Sequence, residues 1–418
     1  MVYEHKVIRD SIHGDIKIEG LIIDLLETPE LQRLYNIKQL GLAHLVFPGA
    51  HHTRLEHSLG TYNIAFKAAN LLELDKDDTE LITYAALLHD IGHGPFSHTL
   101  ESILRNTLDA DHVDLTEKLI LGEYDIFCSD EKEFITSPGV HEILNRNSIN
   151  QKDVVDIIKG KSHKKQYLSQ ILNSAIDADQ LDYLIRDAYY TGVAYGIIDI
   201  ERYLQTLAIN SGKLAVRRKG VGVVESILMA RALMYSSVYF HKTVRIAELM
   251  LSKAIEMINC ANPFDFFKMT DAELVSDMKR MGAFQYKIVT CLKYRKLFKQ
   301  AYSASFPYLN EQNIDIVKNL ENVESRREKE KEIEEILNIP AGHIIIDVPY
   351  EELHHAEPRI DQTDIMIIDE NNIKTLDAFT PVAGAINSRA ITDWSIMIVT
   401  DEKHRDIVSR NAEKILFD

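Results

Sequence analysis

Between residues 21 and 337 apolar side chains recur mainly at three- and four-residue spacing, which predicts helices; toward the two ends they alternate or bunch as in strands. Residues 1 to 20 alternate around Val7, Ile8, Ile12 and Ile16, with Gly14 as a turn, and read as a short strand or hairpin. Residues 21 to 40 read as helix with a fresh start at Thr28-Pro29-Glu30, and 41 to 53 as a loop punctuated by Gly and Pro. Helices follow at 54–73, 78–91, 95–107, 112–121 and 150–159, with one long helix over 166–189. Leu214, Val216, Val221, Val223 and Val224 around Gly220 and Gly222 predict a hairpin, and helix resumes over 226–258 and 271–302. Met229, Met234, Met250 and Met257 fit a core face. Residues 321–337 are a charge-rich solvated helix. Beyond Pro340, strands are expected at 343–348, 365–369, 373–376 and 396–399, closed by a helix at 401–416. The fold class is therefore mostly α with short β-hairpins and a small C-terminal α+β module, divided as residues 1–320 and 321–418.

The chain has 418 residues and 45% hydrophobic content, enough for a sizeable core. No apolar run of about 18 residues and no signal-peptide pattern at Met1-Val2-Tyr3-Glu4-His5 is evident. The three cysteines, Cys128, Cys260 and Cys291, are scattered, which speaks for a reducing, cytoplasmic setting. The net charge of −17 excludes nonspecific duplex binding, and a polyanionic ligand would need basic groups gathered locally. Two short basic stretches exist, 159–165 and Arg217-Arg218-Lys219, the first read as a solvated loop. His354-His355 is read as solvent-facing.

The chemistry concentrates at His89-Asp90, which ends an apolar helical run from Leu81 to Leu88. Ionisable groups on such a face are costly unless paired or bound to something. Residues 89–98, His-Asp-Ile-Gly-His-Gly-Pro-Phe-Ser-His, hold three histidines and an aspartate, and Gly92, Gly94 and Pro95 break the helix beneath them. His57, in Arg54-Leu55-Glu56-His57, and Asp179, in Asp177-Ala178-Asp179-Gln180, are candidates to complete a set of two nitrogens and two carboxylates. Such a set suits a six-coordinate divalent metal (Mn, Fe, Mg or Ni) and admits Zn; without a thiolate it is not a structural zinc site. On the helix that carries Asp179, Asp182 and Arg186 share one face and Asp187 lies near it.

His57, His89-Asp90 and Asp179 resemble the H…HD…D signature of HD-domain metal-dependent phosphohydrolases. The stretches Lys6–Gly14, Leu31-Gln32-Arg33-Leu34, Ile37–Gly41, Val46–Ala50 and Gly92–His98 resemble the deoxynucleoside triphosphate (dNTP) triphosphohydrolase branch, strongly over residues 1 to 260. The resemblance implies a helical HD core and hydrolysis of a dNTP to deoxynucleoside and inorganic triphosphate. It implies His57, His89, Asp90 and Asp179 as metal ligands, and Arg54 as a brace for a phosphate oxygen. It places His93, His98 and His112 around the phosphates, with His98 protonating the departing 5′ oxygen and Glu101 steering His112. Gln39 and Leu40 would lie under the sugar, Asp187 on the 3′ oxygen, Tyr183 against the ribose, Arg231 on phosphate and Tyr239 against the base.

The family pattern has lysine directly after the metal-binding aspartate; this chain has Gln180. The resemblance further implies a homo-oligomer, dimer or tetramer, with an effector nucleotide at Lys6, Glu27, Gln32, Arg217 and Lys219. Arg9, Tyr35 and Val223 depart from the guanine-reading pattern, which leaves an effector of altered base preference or a constitutive oligomer. An HD-type phosphatase or phosphodiesterase on another nucleotide and a catalytically weak nucleotide sensor are the competing functions.

Overall fold

The N-terminal alternation forms an antiparallel hairpin in the computed structural model, which describes residues 5–97, 110–127, 131–162, 165–258, 264–349, 365–370, 372–387 and 394–417. Its strands are β1 (His5–Asp10) and β2 (Gly14–Glu19), with Ile8 opposite Ile16. Ile16 and Ile18 are fully buried, so one face of the hairpin is part of the helical core. Asp10 closes its turn by accepting from the Ile12 and His13 backbone amides at 2.9 and 2.8 Å.

Three helices carry the chemistry. Arg54–Leu71 opens with a capping box in which Thr53 and Glu56 satisfy each other's backbone amides. Lys76–Leu88 is capped by Asp75, so the acidic stretch 77–78 forms its first turn and His89-Asp90 falls at its end. The expected single helix over 166–189 is two. Gln166–Leu172 stops, and Ala178–Thr191 begins afresh because the Asp177 carboxylate accepts from the Gln180 amide at 2.9 Å. Asp179 therefore sits in a first turn rather than mid-helix.

The expected hairpin around Gly220 lies earlier, as β3 (Leu207–Asn210) and β4 (Lys213–Arg217), turning at Ser211 and Gly212 with φ of 48° and 77°. Two successive positive φ angles match the twist of a tight hairpin, which the valine-rich run cannot supply. Val221, Val223 and Val224 instead belong to the helix Val221–Met234. A π-helical turn, Tyr235–Tyr239, follows, and helix restarts at Lys242–Glu256. The segment Arg218–Tyr239 does have the length and hydropathy of a membrane span, contrary to the expectation of no such run. Half of its most apolar window is buried within the protein, including Val224, Ile227, Leu228 and Met234, as in a core helix. Met234 and Met250 are buried as expected, whereas Met229 and Met257 are 38% and 40% exposed.

The region 271–302 is likewise not one helix. Asp271–Met281 and Ala283–Lys293 meet at Gly282, and β5 (Lys299–Ala304) follows. The bunched apolar runs near the C-terminus are strands: β6 (Ile344–Asp347), β7 (Met366–Asp369), β8 (Asn372–Thr375) and β9 (Ile396–Thr400). They divide between two sheets. β9 lies between β5 and β6, while β7 pairs parallel to β4 and carries β8. All of β6 and β9 is buried, which is why those runs do not alternate. The Val323–Leu337 and Arg405–Phe417 helices pack on that buried sheet.

Candidate active site

The N-terminal turns of Arg54–Leu71 and Ala178–Thr191 meet the C-terminal end of Lys76–Leu88. His57 Nε2 lies 3.3 Å from His89 Nε2 and 3.0 Å from Asp179 Oδ1. His89 Nε2 lies 3.2 Å from Asp90 Oδ1; the remaining His57–Asp90 and His89–Asp179 separations are 3.9 and 3.8 Å. Donors held at ~2.1 Å on one octahedral ion stand roughly 3.0 Å apart when adjacent and roughly 4.2 Å when opposite. His57, His89 and Asp90 can therefore share one divalent ion, and Asp179 stands beside His57 as a further carboxylate. His57, His89 and Asp90 are buried, and the Asp179 side chain, 19% exposed, forms the solvent rim.

Both imidazoles are set for this role from behind. His89 Nδ1 donates to the Ala86 carbonyl at 2.9 Å, and His57 Nδ1 donates to Asp182 Oδ2 at 2.8 Å, leaving each Nε2 as the ligand atom. Burial opposes charge on His57, but hydrogen bonds to Asp179 and Asp182 outweigh it and lift its pKa to about 10. Burial also opposes charge on Asp90, yet nearby His89, His93 and Arg54 hold it well below the usual carboxylate range.

Arg54 is buried, and its Nη1 donates to Asp90 Oδ2 at 2.7 Å, while its Nε has no hydrogen-bond partner. It orients a ligand carboxylate in addition to any phosphate it meets. His93 Nε2 is 3.3 Å from Asp90 Oδ1, its Nδ1 pairs with Ser97, and its ring stacks on His112 at 3.9 Å. Burial, with Arg54 and His112 nearby, drives the His93 pKa well below its ordinary value, so the ring is held neutral. His98 and Glu101 lie outside the described residues.

The expected sugar contacts gather beside this cluster. Asp187 accepts from His52 Nε2 at 2.7 Å and from the Tyr239 hydroxyl at 2.8 Å. Tyr239 meets Tyr183 edge-on at 5.9 Å. Gln39 and Leu40 are both 8% exposed, and the Gln39 side-chain oxygen is buried with no hydrogen-bond partner. Arg231 is 1% exposed and its Nη1 donates to the Ala175 carbonyl and Gln180 Oε1. One edge of the expected phosphate ligand is therefore committed to protein. The expected effector residues fall in two places. Lys6 pairs with Glu27 at the surface, near Gln32, whose amide donates to the Leu26 carbonyl at 2.8 Å. Arg217 and Lys219 are exposed at the end of β4, where Arg218 pairs with Asp369.

Sequence reasoning missed the residues that hold the ligands. Asp182 and Arg186 were visible only as a helical pair, and His52 was not singled out. Arg33, seen only within a resembling stretch, is half-buried and donates to the carbonyls of Ile91, His93 and Phe267 at 3.0, 2.7 and 3.0 Å, fixing the His93 loop. A bridging arginine has no periodic signature; only its partners reveal it.

Comparison with known proteins agrees with this geometry. Residues 54–187 match the HD domain, and residues 198–417 match the HD associated region. The chain belongs to the HD-domain phosphohydrolases that carry this associated region. It is 33% identical over 98% of its length to the uncharacterized protein MJ1154 of Methanocaldococcus jannaschii, covering 82% of that protein. It is 29% identical to the deoxynucleoside triphosphate triphosphohydrolase SAMHD1 homolog of Dictyostelium discoideum, over 60% of this chain and 48% of that one. The chain thus spans about half the length of that named enzyme. A phosphohydrolase from Bacteroides thetaiotaomicron superposes with a TM-score of 0.71 at 25% identity, over 95% of this chain and all of that one.

Proposed function

We propose that this protein hydrolyses deoxynucleoside triphosphates to deoxynucleoside and inorganic triphosphate in a metal-dependent reaction. The observation that carries the reading is the convergence of His57, His89 and Asp90, with Asp179 3.0 Å from His57 and a neutral His93 stacked on His112 beside them. The sequence similarity to a named triphosphohydrolase supports the substrate class. A divalent ion held by those four side chains would polarise the α-phosphate and acidify a water. Arg54 keeps Asp90 turned toward the ion and presents its free Nε toward phosphate oxygen. His93 and His112 line the phosphate edge, His98 protonates the 5′ oxygen as it leaves, and the acidic Glu101 steers His112. Gln39 and Leu40 close the space that a 2′-hydroxyl would need, and Asp187, held by His52 and Tyr239, takes the 3′-hydroxyl. Tyr183 packs on the ribose and Arg231 supplies another phosphate contact. A nucleotide bound at Lys6, Glu27, Gln32, Arg217 and Lys219 would assemble an oligomer.

One observation favours a second reading, an HD-type phosphatase or phosphodiesterase. Gln180, which stands where the resembled pattern has lysine, is fully buried and tied to Ser174, Asp177 and Arg231, so the position after Asp179 carries no cation. Incubating the protein with Mn²⁺ or Mg²⁺ and each dNTP, singly and mixed, separates the readings by ion-exchange chromatography. Inorganic triphosphate is the expected product; orthophosphate or pyrophosphate refutes the first reading. Faster turnover of mixtures than of single dNTPs reveals the effector.

A further inference from the structure

We infer that the turn of the N-terminal β1–β2 hairpin is a positioning element of the metal centre, acting through His13 on Asp182 and thence on His57. The inference rests on the metal-site reading above. Asp182 has no solvent exposure and receives two imidazoles: His57 Nδ1 at 2.8 Å on Oδ2 and His13 Nε2 at 2.6 Å on Oδ1. Arg186 supplies the compensating charge, donating to Asp182 from Nε at 2.8 Å and from Nη2 at 3.0 Å. The same guanidinium binds Asp10, at 2.8 and 3.2 Å, and Asp10 in turn holds the backbone amide of His13.

The hairpin turn and the helix that carries Asp179 are thus clasped by two independent connections, both converging on the carboxylate that orients His57. Carboxylates that accept from a ligand imidazole set its ring angle and basicity, so an error in Asp182 is transmitted to the metal. The packing shows how little freedom Asp182 has. A Cβ at Gly60, one turn beyond His57 on the same helix, would lie 1.8 Å from Asp182 Oδ1 and 2.5 Å from Arg186 Nη2. Glycine there is what lets the carboxylate pass close to the helix backbone. His13 meets the site through Asp182.

The test uses the full chain, stripped of metal with a chelator and titrated with Co²⁺, whose visible absorption reports both affinity and ligand geometry. His13→Ala should weaken Co²⁺ binding about tenfold and alter the visible band. His13→Gln, whose amide nitrogen can donate to Asp182, should recover most of both. Ile16→Val loosens the packing of the same hairpin without touching Asp182, and should leave affinity and spectrum at parental values. Parental Co²⁺ binding by His13→Ala overturns the inference, as does an equal loss from Ile16→Val. Failure of the parent to bind Co²⁺ at all overturns the metal reading itself, an outcome visible before any variant is made.

Discussion

Raising the pH should destabilise the metal-free protein in a way that bound metal abolishes, and the cause is one imidazole. His57 is buried between Asp179 and Asp182 and its pKa is lifted to about 10, against 6.5 for an unperturbed histidine. A folded-state pKa above the unfolded one means that the protonated ring stabilises the fold. That contribution is complete below about pH 6.5, shrinks as the unfolded chain releases its proton, and is gone above about pH 10. The slope between those limits is about 1.4 kcal/mol per pH unit, for a total of about 5 kcal/mol at most. A metal on Nε2 replaces that proton, so the loaded protein lacks this slope, and binding at pH 7.5 releases close to one proton from His57. Urea unfolding at pH 6.5, 7.5, 8.5 and 9.5, with chelator or saturating Mn²⁺, measures the first effect. Calorimetric titration in buffers of different ionisation enthalpy measures the second. His57→Ala should flatten the chelator curve. A chelated parent whose stability ignores pH over this window, or Mn²⁺ binding without proton release, refutes the assignment of His57 as a charged ring awaiting a cation.

Three further outcomes are expected. Asp179→Ala removes the solvent-side ligand, so metal content measured by atomic absorption should fall below stoichiometric; full occupancy would contradict its role. Leu40→Gly opens the floor of the expected sugar pocket, and the ratio of dNTP to NTP turnover should drop; an unchanged ratio removes Leu40 from that pocket. Arg33→Ala strands the Ile91, His93 and Phe267 carbonyls around a cavity, costing roughly 3–5 kcal/mol in urea unfolding and lowering turnover through the His93 loop; parental stability would show that the loop holds itself.

The local signals in this chain were strong where one residue does its work within a few positions. Thr53 with Glu56 starts a helix by closing its own first turn, and the helix that ends at Leu88 delivers His89 and Asp90 as neighbours. Errors arose where short-range and long-range preferences compete. Asp177 looked like part of a continuous helix, but its side chain satisfies the backbone better as a cap. The valines after Gly220 favour strand alone and became helix, because their side chains fill the core beside the Ala178–Thr191 helix. The runs near Ile344, Ile367 and Ile398 announced strands without saying which would be neighbours, since hydrogen-bond partners are a property of two segments.

Residue types and their spacing alone pointed to a cluster of histidines and carboxylates able to hold a metal on a mostly helical scaffold. Ligand chemistry is intrinsic to a side chain, and helical period is written in every few residues. What only tertiary structure decided is how those ligands are aimed. His13 meets Asp182 across 169 positions of chain and Asp10 meets Arg186 across 176, and Arg33 reaches loops more than 50 and 230 residues away. Buried charges tolerate one another only when each is fully paired, so their arrangement is settled by the packed core as a whole and leaves no local trace.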